Sequence, residues 1–109
     1  MLGNKRATLN EYNLGSALDF FQISYNFQIS YWGGRNLLGG QILDFIVFLP
    51  QPTPVQVFGA YWHSAQLSSK DNLNLIRLEA MFRKQVIIFW QDETETFIAA
   101  KAAVSKKLL

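Results

Sequence analysis

The chain has 109 residues, half of them hydrophobic and 15% aromatic, with a formal net charge of +2. That is one domain's worth of chain with enough apolar mass to offset the entropy of ordering its backbone, so disorder and a two-domain layout are excluded and residues 1–109 are read as a single domain. The lack of cysteine excludes a disulfide framework, a thiolate zinc site and a thiol nucleophile, while the small positive charge tolerates a polyanionic partner without identifying one.

The first ten residues, MLGNKRATLN, lack the apolar run of a signal peptide, and no segment reaches the roughly 20 apolar residues of a membrane span. An intracellular, cytoplasmic protein without a membrane partner is the expectation. Thr8 and Glu11 follow the T-x-x-E spacing of a capping box, in which hydroxyl and carboxylate each satisfy a backbone N–H at a helix start. Leu14, Ala17, Leu18 and Phe21 recur at helical spacing behind it, which predicts a helix from about Leu9 to Gln22.

In NFQISYW, Phe27, Ile29 and Tyr31 alternate with polar residues, the period of a half-buried strand. GGRNLLGG is a loop bounded by paired glycines, and QILDFIVFL is a nearly continuous apolar strand. PQPTP reads as a break, because proline cannot donate to a ladder, and VQVFGAYW resumes as a third strand. From Ser68 or Ser69 the chain turns helical, with Leu73, Ile76 and Ala80 and then Leu75, Leu78 and Phe82 as apolar positions. QVIIFW reads as a buried strand. Asp92 is the expected cap of a last helix with acids in its first turn and lysines in its last.

The order α-β-β-β-α-β-α implies an antiparallel start and, through the β-α-β crossover, a last strand that joins in parallel. The predicted fold class is α/β, a mixed central sheet flanked by helices.

Asp44 interrupts the apolar strand, where a charge must be hydrogen-bonded, paired or bound to a cation. One reading places it at a strand end, accepting backbone hydrogen bonds from the glycine loop. The other makes it a functional acid. His63, the only histidine, follows Gly59, Ala60 and Trp62 at the end of the third strand. It is either a hydrogen-bonded residue at the sheet edge or a proton-transfer group, since only its unperturbed pKa suits that task near neutrality. Glu11 and Asp71 each have a structural explanation at a helix start. There is no phosphate-binding G-x-x-x-x-G-K-[ST] loop and no G-x-S-x-G elbow, and one histidine without cysteine cannot build the usual zinc sets.

Taken in order, the Glu-bearing helix, GGQILDF, GAYWH, a helix, a buried strand and a last helix resemble the PD-(D/E)XK nuclease superfamily. The narrower likeness is to very-short-patch-repair endonucleases and to the phage-type homing endonucleases with the pattern E-D-x-H-D. The resemblance spans nearly the whole chain and implies a restriction-endonuclease-like αβββαβα core. It implies Glu11, Asp44, His63 and Asp71 as the catalytic set, with Asp44 and Glu11 holding Mg²⁺ or Mn²⁺. It also implies DNA as substrate, in a homing or repair role typical of phage or mobile elements. Arg35, Lys70, Arg77 and Lys84 are the candidate phosphate contacts, which position DNA without reading it. Sequence recognition is left to loops such as GGRNLLGG or to the second subunit of a homodimer.

The third strand departs from the superfamily pattern. Gln56, Phe58 and Ala60 stand where acidic or amide residues and a lysine are common, so a backbone carbonyl near Val57 or Phe58 is the remaining ligand there. The alternative function is a catalytically degenerate nucleic-acid-binding or interaction module that keeps the nuclease fold.

Overall fold

The computed structural model describes residues 7–31, 41–59 and 69–109. Its elements are α1 (Leu9–Phe20), β1 (Tyr25–Tyr31), β2 (Gln41–Phe48), β3 (Pro52–Phe58), α2 (Ser69–Phe82), β4 (Ile87–Trp90), a short 3₁₀ turn at Gln91–Glu93 and α3 (Phe97–Leu108). The predicted order of elements is observed, with Ser69 as the first described residue of α2. The predicted continuation of the third strand through Ala60, Tyr61 and Trp62, and the whole GGRNLLGG loop up to Gly40, lie outside the described residues.

The capping box forms as the spacing predicts. The Glu11 N–H donates to Thr8 Oγ1 at 3.1 Å, and the Thr8 N–H donates to Glu11 Oε1 at 2.9 Å. The helix stops two residues before the expected Gln22. Gln22 takes φ 58°, and the Ile23 and Gln22 N–H groups donate back to the Leu18 and Asp19 carbonyls, the double bond of a Schellman ending. A glutamine holds the left-handed position that glycine usually marks, so the stop carries no sequence signal.

The four strands lie in the order β1-β2-β3-β4. β1/β2 and β2/β3 are antiparallel and β3/β4 is parallel, as the chain order implies. The expected break at PQPTP is too long: Pro52, Thr53 and Pro54 already pair with Phe48, Val47 and Ile46. β4 joins β3 only from Val55 onward, so at Pro52 and Pro54 the strand has a single neighbour. The Val57 N–H points to β2, and alternation then turns the proline nitrogens to the unpaired side, where no donor is needed.

Two helical layers cover the sheet. Leu14, Ala17 and Leu18 of α1 and Ala100, Ala103 and Val104 of α3 pack on Tyr25, Phe27, Phe45, Val47, Val55 and Phe89. On the other face Leu78, with Leu75 and Phe82, packs on Leu43 and Ile46. Only one of the two apolar sets expected in α2 is therefore inward, and Leu73 and Ile76 stand 55% and 62% exposed.

The last helix starts later than Asp92 suggests. Its N-cap is Thr96, whose Oγ1 accepts from the Ala99 N–H at 3.0 Å, and its first turn holds no acid. Glu93 instead accepts from the Trp90 N–H and pairs with Lys107 at 2.6 Å, tying the end of α3 to the end of β4. Thr96→Ala is expected to destabilise by about 1 kcal/mol, read from urea midpoints.

Tyr25 closes the α1 side at the start of β1. Its hydroxyl is buried near the Asp19 carboxylate. Burial first, and then the charge of Asp19, push its phenol from 10.0 up to about 12. Folding thus favours the protonated form. Its contribution is fully present below pH 10 and is lost as pH rises from there to about 12. Wild type is expected to lose more stability across that window than Tyr25→Phe, measured by urea unfolding of both at each pH.

Candidate functional site

The acid inside the apolar strand is placed by a change of face in two strands at once. In β1, Tyr25 and Phe27 belong to the α1/α3 core, whereas Ile29 and Tyr31 pack on the α2 side. In β2, Phe45 and Val47 belong to the first core, whereas Leu43 packs with Ile46 in the second. Regular alternation would keep Phe27 with Ile29, and Leu43 with Phe45. The register keeps the same offset on both sides, with Phe27 opposite Phe45 and Ile29 opposite Leu43, but the residues between them, Gln28 and Asp44, do not pair. The switch therefore falls at the intervening pair, Gln28 and Asp44. Gln28 has φ 54°, a left-handed residue in mid-strand. The expected single buried face for Phe27, Ile29 and Tyr31 is thereby corrected.

This switch turns Asp44 away from the α2-side core and toward α1. Its carboxylate replaces a rung of the β2/β3 ladder, which has no backbone pair beyond Phe45↔Val55. The Val57 N–H donates to Asp44 Oδ2 at 2.7 Å, and the Asp44 N–H donates to Gln56 Oε1 at 3.0 Å. Two backbone donors on parting strands are satisfied by side chains, which lets the strands diverge without stranding polar groups. Asp44 accepts a backbone hydrogen bond from β3 and sits within its strand instead of at its end, while the glycine loop expected to donate to it lies outside the described residues.

Glu11 reaches the same place from the helix. The capping box engages Oε1, and no described residue hydrogen-bonds Oε2. Glu11 and Asp44 line one pocket of about 450 Å³, together with Thr8, Gln28, Val57 and Gln91. The Asn10 and Asn13 amides donate to the Gln91 and Thr94 carbonyls at 3.0 and 2.9 Å, fixing α1 against the segment after β4 that supplies Gln91. Gln28 and Gln91 are not legible as site residues, because a glutamine in a strand or loop reads as solvent-facing, and Gln56 stands out only as a departure from the superfamily pattern.

The other expected residues divide into three groups. His63 and Arg35 lie outside the described residues, as does Ala60. Lys70 and Asp71 lie in the first turn of α2, and their side chains fall outside what the structure describes. Arg77 is on α2, across the sheet from α1. Lys84 donates to Thr53 Oγ1 at 3.1 Å, at the end of β3 away from Val57. At about 3.3 Å per strand residue that places its anchor more than 10 Å from the pocket.

The pocket's donor set is oxygen and amide in character. Among the described residues no cluster of three or more His, Cys, Asp or Glu side chains assembles. Two carboxylates completed by water are what Mg²⁺ takes, since it dehydrates reluctantly and prefers hard oxygen ligands. The residues present thus fit a hard divalent cation. Among the described residues no helix is long and apolar enough to cross a membrane. The chain matches no known protein family, no curated protein and no solved structure.

Proposed function

We propose that the protein is a metal-dependent DNA endonuclease of the kind its sequence resembles, hydrolysing phosphodiester bonds in a homing or repair role. The observation that carries this reading is the convergence of Glu11 from α1 and Asp44 from β2 on one polar pocket where β2 and β3 part. Each acid keeps one oxygen committed to backbone, which fixes its position. The αβββαβα order and the mixed sheet agree with a restriction-endonuclease-like core.

In this reading Glu11 and Asp44 hold Mg²⁺ or Mn²⁺, whose role is to neutralise charge on the scissile phosphate and make water acidic enough to attack. His63, five residues past the end of β3, moves the proton, and Asp71 orients it. Arg35, Lys70 and Arg77 contact phosphates, with a second subunit completing recognition. Lys84 is the weakest of the four basic candidates, because it is anchored at the far end of β3.

A second reading is favoured by β3 itself. The Gln56 oxygen is committed to the Asp44 N–H, and Phe58 packs on Trp90 with centroids 5.9 Å apart, so neither offers an acid to the pocket. A degenerate module that binds nucleic acid without cutting it would look the same there. Incubation of supercoiled plasmid with the protein and Mg²⁺ or Mn²⁺ separates the two. Nicking that EDTA abolishes supports the nuclease; salt-dependent binding with intact plasmid supports the module.

A further inference from the structure

We infer that Gln28 is the positioning residue of the pocket, acting on Asp44 through the backbone of the adjoining strand. In its bearing on metal binding the inference rests on the nuclease reading. Its geometric content stands on the fold alone.

Gln28 and Asp44 are the two residues left between the flanking pairs Phe27↔Phe45 and Ile29↔Leu43, and they do not themselves pair. Gln28 is the only residue in the described strands with a positive φ. Asp44 itself is not in that region, so the backbone departure that accompanies the change of face is carried by β1. A left-handed non-glycine residue persists in a strand only where its surroundings enforce it, and such residues gather at functional sites.

The consequence of removing the switch follows from parity. With regular alternation, position 44 would share a face with Ile46 and Phe48, both on the α2 side. The carboxylate would then enter an apolar layer, and Val57 would lose its acceptor. With the switch, Phe27, Gln28, Asp44 and Phe45 all face α1. Phe27 and Phe45 seal the core with centroids 5.0 Å apart, while Gln28 and Asp44 continue the surface as pocket lining. One dihedral in β1 thus decides whether the acid of β2 meets Glu11.

The test compares Gln28→Gly, which keeps the left-handed backbone without strain, with Gln28→Val, whose β-branch disfavours it. The first readout is amide hydrogen exchange of Val57 in metal-free protein, relative to Ile46 and Val47 as reporters of the same strand pair. Gln28→Gly is expected to retain most of the wild-type protection, and Gln28→Val to lose at least about tenfold in Val57 protection beyond any loss at the reporters. Should Gln28→Val fail to fold, Gln28→Ala carries the same comparison with a smaller loss. The second readout is Mn²⁺ affinity by titration, expected to fall at least about tenfold in Gln28→Val and by clearly less in Gln28→Gly.

Undiminished Val57 protection in Gln28→Val, or equal losses in both variants, would overturn the inference, the latter by making the amide the responsible group. Absence of Mn²⁺ binding by wild type would count against the nuclease reading instead and leave amide exchange to decide this one.

Discussion

On the nuclease reading, Asp44→Asn is expected to reduce metal-dependent nicking of supercoiled plasmid by at least about 100-fold while leaving the unfolding midpoint close to that of wild type. A factor of 100 corresponds to about 2.7 kcal/mol of transition-state stabilisation, within what a correctly placed cation supplies to a phosphoryl centre. The substitution separates chemistry from folding because of the bond Asp44 already makes. An asparagine oxygen can still accept the Val57 N–H that now reaches Oδ2 at 2.7 Å, so that bond survives the loss of the charge. Asp44→Ala would confound the two, since a part-buried N–H left without an acceptor destabilises by about 1–3 kcal/mol.

Glu11→Gln is the matching control in the helix. Glutamine completes a capping box as glutamate does, so the acceptor for the Thr8 N–H survives and any loss of activity belongs to the charge. The degenerate-module reading predicts the opposite sign for Asp44→Asn. Without a cation, the carboxylate repels phosphate, and removing it should tighten DNA binding. A wild type that nicks DNA and an Asp44→Asn variant that nicks it equally well would remove Asp44 from the site altogether.

The parts of this site that were legible in the sequence are those written in residue type at short range. T-x-x-E places Glu11 in a first helical turn because a capping box is local chemistry, and Asp44 stands out because a charge in an apolar strand needs a partner. The parallel entry of β4 follows from chain order. Where two strands depart together from the period of two, the sequence carries no mark. Phe27, Ile29 and Tyr31 are apolar whether they share a face or not, because both faces of this sheet are covered by helices. The same two-sided cover hides the phase of β2.

Pro54 was misread for a related reason. A proline excludes pairing only on the side its nitrogen faces, and whether a partner strand stands on that side depends on where β4 begins. Asp92 and Thr96 compete as caps within five residues, and the winner is set by the 3₁₀ turn at Gln91–Glu93, which Glu93 and Lys107 hold in place.

Phe45→Ala is expected to produce the largest loss of stability of any single change considered. Phe45 is fully buried and its ring meets Phe27 and Tyr25 at centroid distances of 5.0 and 5.5 Å. Truncating a buried Phe to Ala generally destabilises by about 3–5 kcal/mol, from lost transfer energy and the cavity that remains. Against a typical total of about 5–15 kcal/mol, and at about 4–8 °C per kcal/mol for a domain near this size, the midpoint should fall by at least about 12 °C.

The position also tests the architecture of the site. Phe45 is the neighbour of Asp44 on the face that the strands share after their switch, so the cavity opens directly beneath the pocket. Phe45→Leu keeps most of that volume and should lower the midpoint by only a few degrees. Ile76→Ala, on the exposed side of α2, should shift the midpoint little, because that side chain is 62% accessible already. A fall of less than about 5 °C for Phe45→Ala would mean that the α1-side core is not packed around this ring, and the convergence of Glu11 and Asp44 above it would lose its support.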